Sequence, residues 1–110
     1  FRSGLRAPIY GHAGSGNLHL RPLFDRSSPQ ISNTVAEVAR RIYGIVLDLG
    51  GTTTAEHGMG RLRSHYLESE WGTPLYTLML QIKNAFDPTG ILNPEVFHPG
   101  GDLLEDAVFD

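Results

Sequence analysis

Gly11-His12-Ala13-Gly14-Ser15-Gly16-Asn17-Leu18-His19-Leu20 reads as a glycine-rich bend between two short extended pieces that run from Ala7 to Leu23. In its second half Leu18 and Leu20 alternate with Asn17, His19 and Arg21. A strand there turns the leucines to a core and shares Asn, His and Arg on the opposite face. Pro22 confines that strand to an end or an edge. Gly14 and Gly16 do not make a dinucleotide loop, which needs a third glycine and a helix opening just after it. Their use is to bend the backbone so that a ligand can approach.

Outward from this bend, Ser27, Ser28, Pro29 and Ser32 form a polar loop. Val35, Val38, Ala39, Ile42, Ile45, Val46 and Leu49 then recur at helical spacing. Thr34-Val35-Ala36-Glu37 has the form of a capping box, and Gly50-Gly51 supplies a C-terminal stop. Thr52-Thr53-Thr54-Ala55 is expected as a short strand that delivers Glu56 and His57, with Gly58 and Gly60 turning the chain. A short helix is expected over 62–70. A longer one opens at Thr73-Pro74, with Leu75, Leu78, Met79, Ile82 and Phe86 as its core stripe, and Asp87-Pro88-Thr89-Gly90 ends it. The fold class expected is α+β, a small antiparallel sheet with helices packed on one face.

A chain of 110 residues, 40% hydrophobic and 19% charged, suits one domain with one modest core. Without cysteine, any metal must be held by nitrogen and oxygen ligands. No apolar run approaches the ~20 residues of a membrane span, so no transmembrane segment is expected and the cytoplasm is the expected compartment. Residues 1–55 carry six arginines against three acids, and residues 56–110 carry three basic residues against nine acids. The front half suits an anionic small molecule. Its arginines are too scattered for a nucleic-acid groove. The chain opens at Phe1 rather than methionine, inside a turn-rich segment, and is expected to be a piece of a longer protein.

His12, His19 and the Glu56-His57 pair offer two imidazoles and a carboxylate, a ligand mix for a divalent metal with open positions, and a further histidine beside it. On the residues alone, unrelated solvent-exposed histidines explain the same pattern.

Three segments in order, the glycine-histidine stretch 11–19, Glu56-His57-Gly58-Met59-Gly60, and Asp87-Pro88-Thr89-Gly90-Ile91-Leu92-Asn93-Pro94, resemble the C-terminal substrate (cap) domain of the FAD-linked oxidases. That group includes glycolate oxidase, D-lactate dehydrogenase and D-2-hydroxyglutarate dehydrogenase. The resemblance implies that residues 1–99 are the C-terminal part of a larger cap domain and that 100–110 is an acidic linker or tail. It implies His12, His19 and Glu56 as ligands of zinc or a similar divalent metal, and His57 as the catalytic base. Asn93 would approach FAD, and Asn17 and Arg21 would meet a small 2-hydroxy acid. FAD itself would be held by an upstream domain, and fused relatives suggest a downstream iron-sulfur domain. An isolated fragment is expected to be inactive and, with its neighbours missing, a homo-oligomer. Ser15, Arg63 and Glu95 depart from the family's usual aspartate, lysine and glycine. A non-redox metal-binding or interaction module is the alternative from another class, told apart by the flavin spectrum of the longer protein. A hydrolytic metalloenzyme is disfavoured, since no second carboxylate stands near the histidines in sequence.

Overall fold

The computed structural model describes residues 5–94 and 96–97. His98, Pro99, Glu95 and the acidic tail 100–110 lie outside the described residues. Strand β1 (Ile9–His12) and strand β2 (Asn17–Leu20) form a two-stranded antiparallel sheet, joined by a 3-10 turn over Ala13–Ser15. Four helices follow: α1 (Ile31–Asp48), α2 (Gly60–Ser64), α3 (Leu67–Trp71) and α4 (Thr73–Phe86). The architecture is α+β, as the alternation of patterns predicts.

The hairpin register pairs Ile9 with Leu20, Tyr10 with His19, Gly11 with Leu18 and His12 with Asn17. Side chains alternate along a strand, so Tyr10, His12, Asn17 and His19 share one face. Gly16 takes the left-handed conformation at φ 69°, and its N–H donates to the Ala13 carbonyl. The Ser15 hydroxyl donates to the His12 carbonyl at 3.1 Å and fastens the same turn. Gly11 is required for a different reason. A methyl at that position would run into the carbonyl oxygen of Asn17 on the partner strand.

Several local expectations are corrected. Leu18 is exposed rather than core, and Ile9 on the same face of the hairpin is open as well. Helix α1 begins three residues before the capping-box position, after a turn in which the Ile31 N–H donates to the Ser28 carbonyl. Thr34 therefore lies inside the helix and its hydroxyl donates back to the Gln30 carbonyl at 3.0 Å. The C-terminal stop is as expected. Gly50 sits at φ 71°, and the Gly51 N–H reaches the Val46 carbonyl at 2.8 Å, closing a Schellman turn.

Residues 52–55 form no strand. The Thr52 and Thr53 hydroxyls and the Thr53 N–H are taken by a carboxylate rather than by a β ladder. The helix expected over 62–70 is broken at His65-Tyr66 into α2 and α3. Tyr66 there packs against Tyr43 of α1, with ring centroids 4.4 Å apart. The buried Tyr66 hydroxyl has no hydrogen-bond partner, and burial pushes its pKa up. Gly72, at φ 77°, separates α3 from α4 and takes the cap position assigned to Thr73. Pro74 lies in the first turn, where its missing N–H costs nothing.

The buried apolar side chains among the described residues are Val38, Leu67 and Tyr76. Leu67 of α3 is fully buried, and α3 packs on α4. The stripe assigned to the core of α4 is instead largely open, with Leu75, Leu78, Ile82 and Phe86 exposed. Tyr76, one residue around the helix, is the buried anchor. No helix among the described residues is long and apolar enough to cross a membrane.

Candidate metal and active centre

The site begins with the hairpin. Tyr10, His12 and His19 project from one face of two paired strands, and the Glu56-His57 turn meets them there. The Glu56 carboxylate lies 2.9 Å from His19 Nε2, 3.6 Å from His12 Nε2 and 3.6 Å from His57 Nε2. The rings of His19 and His57 are 5.4 Å apart and those of His12 and His19 are 6.0 Å apart, both edge to face. Three imidazoles thus surround one carboxylate.

The turn that delivers Glu56 and His57 is built by backbone left-handedness. Ala55 has φ 45°, and Gly58 and Gly60 have φ 69° and 52°. The bend expected at the glycines therefore starts one residue before Glu56. The His57 N–H donates to the Thr54 carbonyl at 3.0 Å, closing the turn. Adjacent residues on a straight strand would face opposite ways, and this turn lets both side chains serve one centre.

One ligand atom each from His12, His19 and Glu56 lies within 4.8 Å of the others. Ligands at ~2.0–2.2 Å from one ion lie at most about 4.4 Å apart, so a bound ion would draw these donors slightly together. The donor set, two neutral nitrogens and one anionic oxygen, suits a divalent borderline cation and leaves positions open. His19 is the more enclosed donor, with 23% of its side chain exposed against 67% for His12. Its ring is stacked on Tyr10 at a centroid distance of 5.1 Å and an interplanar angle of 19°.

Arg21 lies next to this cluster, its guanidinium carbon 5.5 Å from the Tyr10 ring centre. Tyr10 thus touches both the Arg21 cation and the His19 ring. Asn17 stands across the hairpin from His12. Asn93 belongs to a separate turn, and no hydrogen bond joins it to the histidine cluster among the described residues. Asn93 is at φ 48°, after a loop organised by Asp87. The Asp87 carboxylate accepts the N–H groups of Ile91 and Leu92, each at 2.9 Å, and pairs with Lys83. The Lys83 ammonium, with help from those two N–H groups, holds the Asp87 carboxyl below its ordinary pKa, against burial. Lys83 also donates to the Leu92 carbonyl at 2.6 Å.

The sequence pattern did not single out Tyr10, although strand alternation places it on the His12 face two residues earlier. Nor did it single out Glu70 of α3, which grips Thr52 and Thr53, for no local motif connects residues 17 positions apart. Burial pushes the Glu70 carboxyl up, but hydrogen bonds from Thr52, Thr53 and Trp71 outweigh it and hold the group below its ordinary value.

Comparison with known proteins gives the family of the chain. The profile of the family described as FAD linked oxidases, C-terminal domain, matches residues 2–96. The chain is 39% identical over 85 residues to glycolate oxidase subunit GlcD of Bacillus subtilis, covering 77% of this chain and 18% of that protein. It is 36% identical over 92 residues to the mitochondrial D-lactate dehydrogenase [cytochrome] of Arabidopsis thaliana, covering 84% of this chain and 16% of the relative. Against D-2-hydroxyglutarate dehydrogenase of Escherichia coli the identity is 33% over 91 residues, covering 83% and 9% respectively. The aligned part is thus under a fifth of each of these relatives. With motif order, profile match and relatives in agreement, the chain belongs to the FAD linked oxidases, as their C-terminal domain.

Proposed function

We propose that this chain is the substrate-side portion of an FAD-dependent enzyme that oxidises a small 2-hydroxy acid, with His12, His19 and Glu56 as holders of zinc or a similar divalent ion and His57 as the base. The observation that carries this reading is the convergence of three imidazoles on the Glu56 carboxylate at an open rim. When bound, the ion supplies Lewis-acid polarisation of the substrate hydroxyl and carboxylate, and the flavin supplies the acceptor for the hydride from Cα.

The chain's own residues do the remaining work. His57 takes the hydroxyl proton on Nε2, the nitrogen that faces the cluster. Glu56 is spent as a ligand, so the adjacent imidazole is the group left to accept a proton. Arg21 offers a planar fork for a second carboxylate at the edge of the site, and Asn17 a hydrogen-bonding amide. Asn93 is assigned to the flavin side by the resemblance of its segment, Asp87 to Pro94, to that of the FAD-linked oxidases. Residues 1–99 are read as the C-terminal part of the cap, and the exposed apolar face of α4 as a surface that meets the rest of the parent protein.

The test is metal content and flavin reduction in the full-length protein. Replacing His12, His19 or Glu56 by alanine releases one equivalent of zinc in each case. Replacing His57 by asparagine leaves metal and flavin bound but slows anaerobic flavin bleaching by the hydroxy acid by roughly 10² to 10⁴. Unchanged metal in all three ligand variants, or near-normal bleaching in His57→Asn, overturns the corresponding assignment.

A further inference from the structure

Glu70 projects from α3 and spends its carboxylate on the segment that carries Glu56 and His57. One oxygen accepts the Thr52 hydroxyl at 2.6 Å. The other accepts the Thr53 N–H at 2.8 Å and the Thr53 hydroxyl at 2.6 Å. Thr53 is buried, at 4% exposure, so its two bonds are partly shielded from competition by water, while the Thr52 bond is exposed. The Thr52 hydroxyl also lies 2.9 Å from that of Thr54 and accepts the Thr54 N–H at 3.3 Å. One carboxylate therefore orders all three threonines.

Beyond them the backbone enters the left-handed region at Ala55, φ 45°, a conformation unfavourable for any residue with a Cβ. Such a residue persists only where its surroundings over-determine it. On the far side of the turn, Arg63 of α2 donates to the Gly58 carbonyl at 3.0 Å and to the Tyr43 hydroxyl at 3.4 Å. The strained residue, Glu56 and His57 thus lie on a short span fastened at both ends to helices, by Glu70 before it and Arg63 after it.

We propose that Glu70 is a positioning residue for the metal and proton-transfer centre, a strut that holds the Ala55 turn closed so that Glu56 meets His12 and His19. The proposal rests on the reading of those three residues as metal donors. It assigns Glu70 no contact with substrate or metal.

The experiment measures zinc binding to the full chain by competition with a chelating dye, alongside amide hydrogen exchange, for wild type, Glu70→Ala and Glu70→Gln. Glu70→Ala is expected to weaken zinc binding by about 10- to 100-fold, the range for loss of a group that orients a ligand. His57 amide exchange accelerates in that variant while the amides of α4 keep their protection. Glu70→Gln retains an accepting oxygen and restores affinity to within several-fold of wild type. Wild-type affinity in Glu70→Ala overturns the proposal, as does weakened binding accompanied by equal loss of protection in α4, which marks Glu70 as a general fold contact. Wild-type chain that takes up no zinc refutes the metal reading instead. The strut is then decided by exchange alone: a faster His57 amide in Glu70→Ala supports it, and an unchanged one overturns it.

Discussion

Replacing Tyr10 by alanine is expected to weaken zinc binding about 2- to 5-fold without removing any ligand. The Tyr10 ring lies 5.1 Å from that of His19 at 19°, a stacked pair that fixes the orientation of the more enclosed nitrogen donor. Stacked aromatic pairs contribute about 0.5–1.5 kcal/mol beyond the area they bury. Tyr10 is half exposed, which places it in the lower part of that range, about 0.5–1 kcal/mol. At about 1.4 kcal/mol per decade this is a 2- to 5-fold change in Kd. Titration calorimetry with zinc alone reads the difference directly. Tyr10→Phe keeps the ring and should match wild type, and Leu18→Ala, on the opposite face of the hairpin, should leave affinity unchanged. Equal losses in Tyr10→Phe and Tyr10→Ala, or none in Tyr10→Ala, would refute the claim that the stack preorganises His19.

Other perturbations test other links. Gly11→Ala forces a methyl against the Asn17 carbonyl and should destabilise the hairpin by about 1–3 kcal/mol, seen as lost exchange protection at the amides of the Tyr10–His19 pair before α4 is affected. Leu67→Ala empties the one fully buried large side chain among the described residues and should cost about 2–5 kcal/mol in urea unfolding. Asp87 has a folded pKa below its ordinary 3.8, so the stability it contributes is present above that ordinary value and lost as pH falls through the lowered one. The advantage of wild type over Asp87→Asn in thermal unfolding should be complete near neutrality and shrink in acid below about pH 4. The open α4 face predicts self-association of the isolated chain, which light scattering at high concentration checks. A clean monomer would argue against that surface as a docking face.

The hairpin, α1 and α4 were legible because their signals are local. Glycine at 11, 14 and 16, alternation through Leu20, and the 3.6-residue spacing from Val35 to Leu49 each act over a few residues. The four clustered side chains were legible as motifs but not as a geometry, which only the register and the Ala55 turn supply. Thr52-Thr53-Thr54 misled because β-branched residues favour extended backbone, and the competing term was a carboxylate on a helix not yet formed. The Leu75 to Phe86 stripe misled in the other direction. Apolar periodicity states which face avoids water, not which partner covers it, and within the described residues only Tyr76 of α4 is buried among apolar side chains.

The contact of Glu56 with the hairpin has a consequence for folding as well as for chemistry. It joins residue 19 to residue 56 across the whole of α1, so an ion shared by these donors would act as a clasp on a long loop in a chain whose apolar interior is small. An unfolded chain cannot present the three donors together, so occupancy counts entirely toward the folded state, about 2.7 kcal/mol when free ion stands at a hundred times its Kd. Chelation would then lower the melting temperature of this domain as well as silence its chemistry, and ambient metal would set how much of it survives to function.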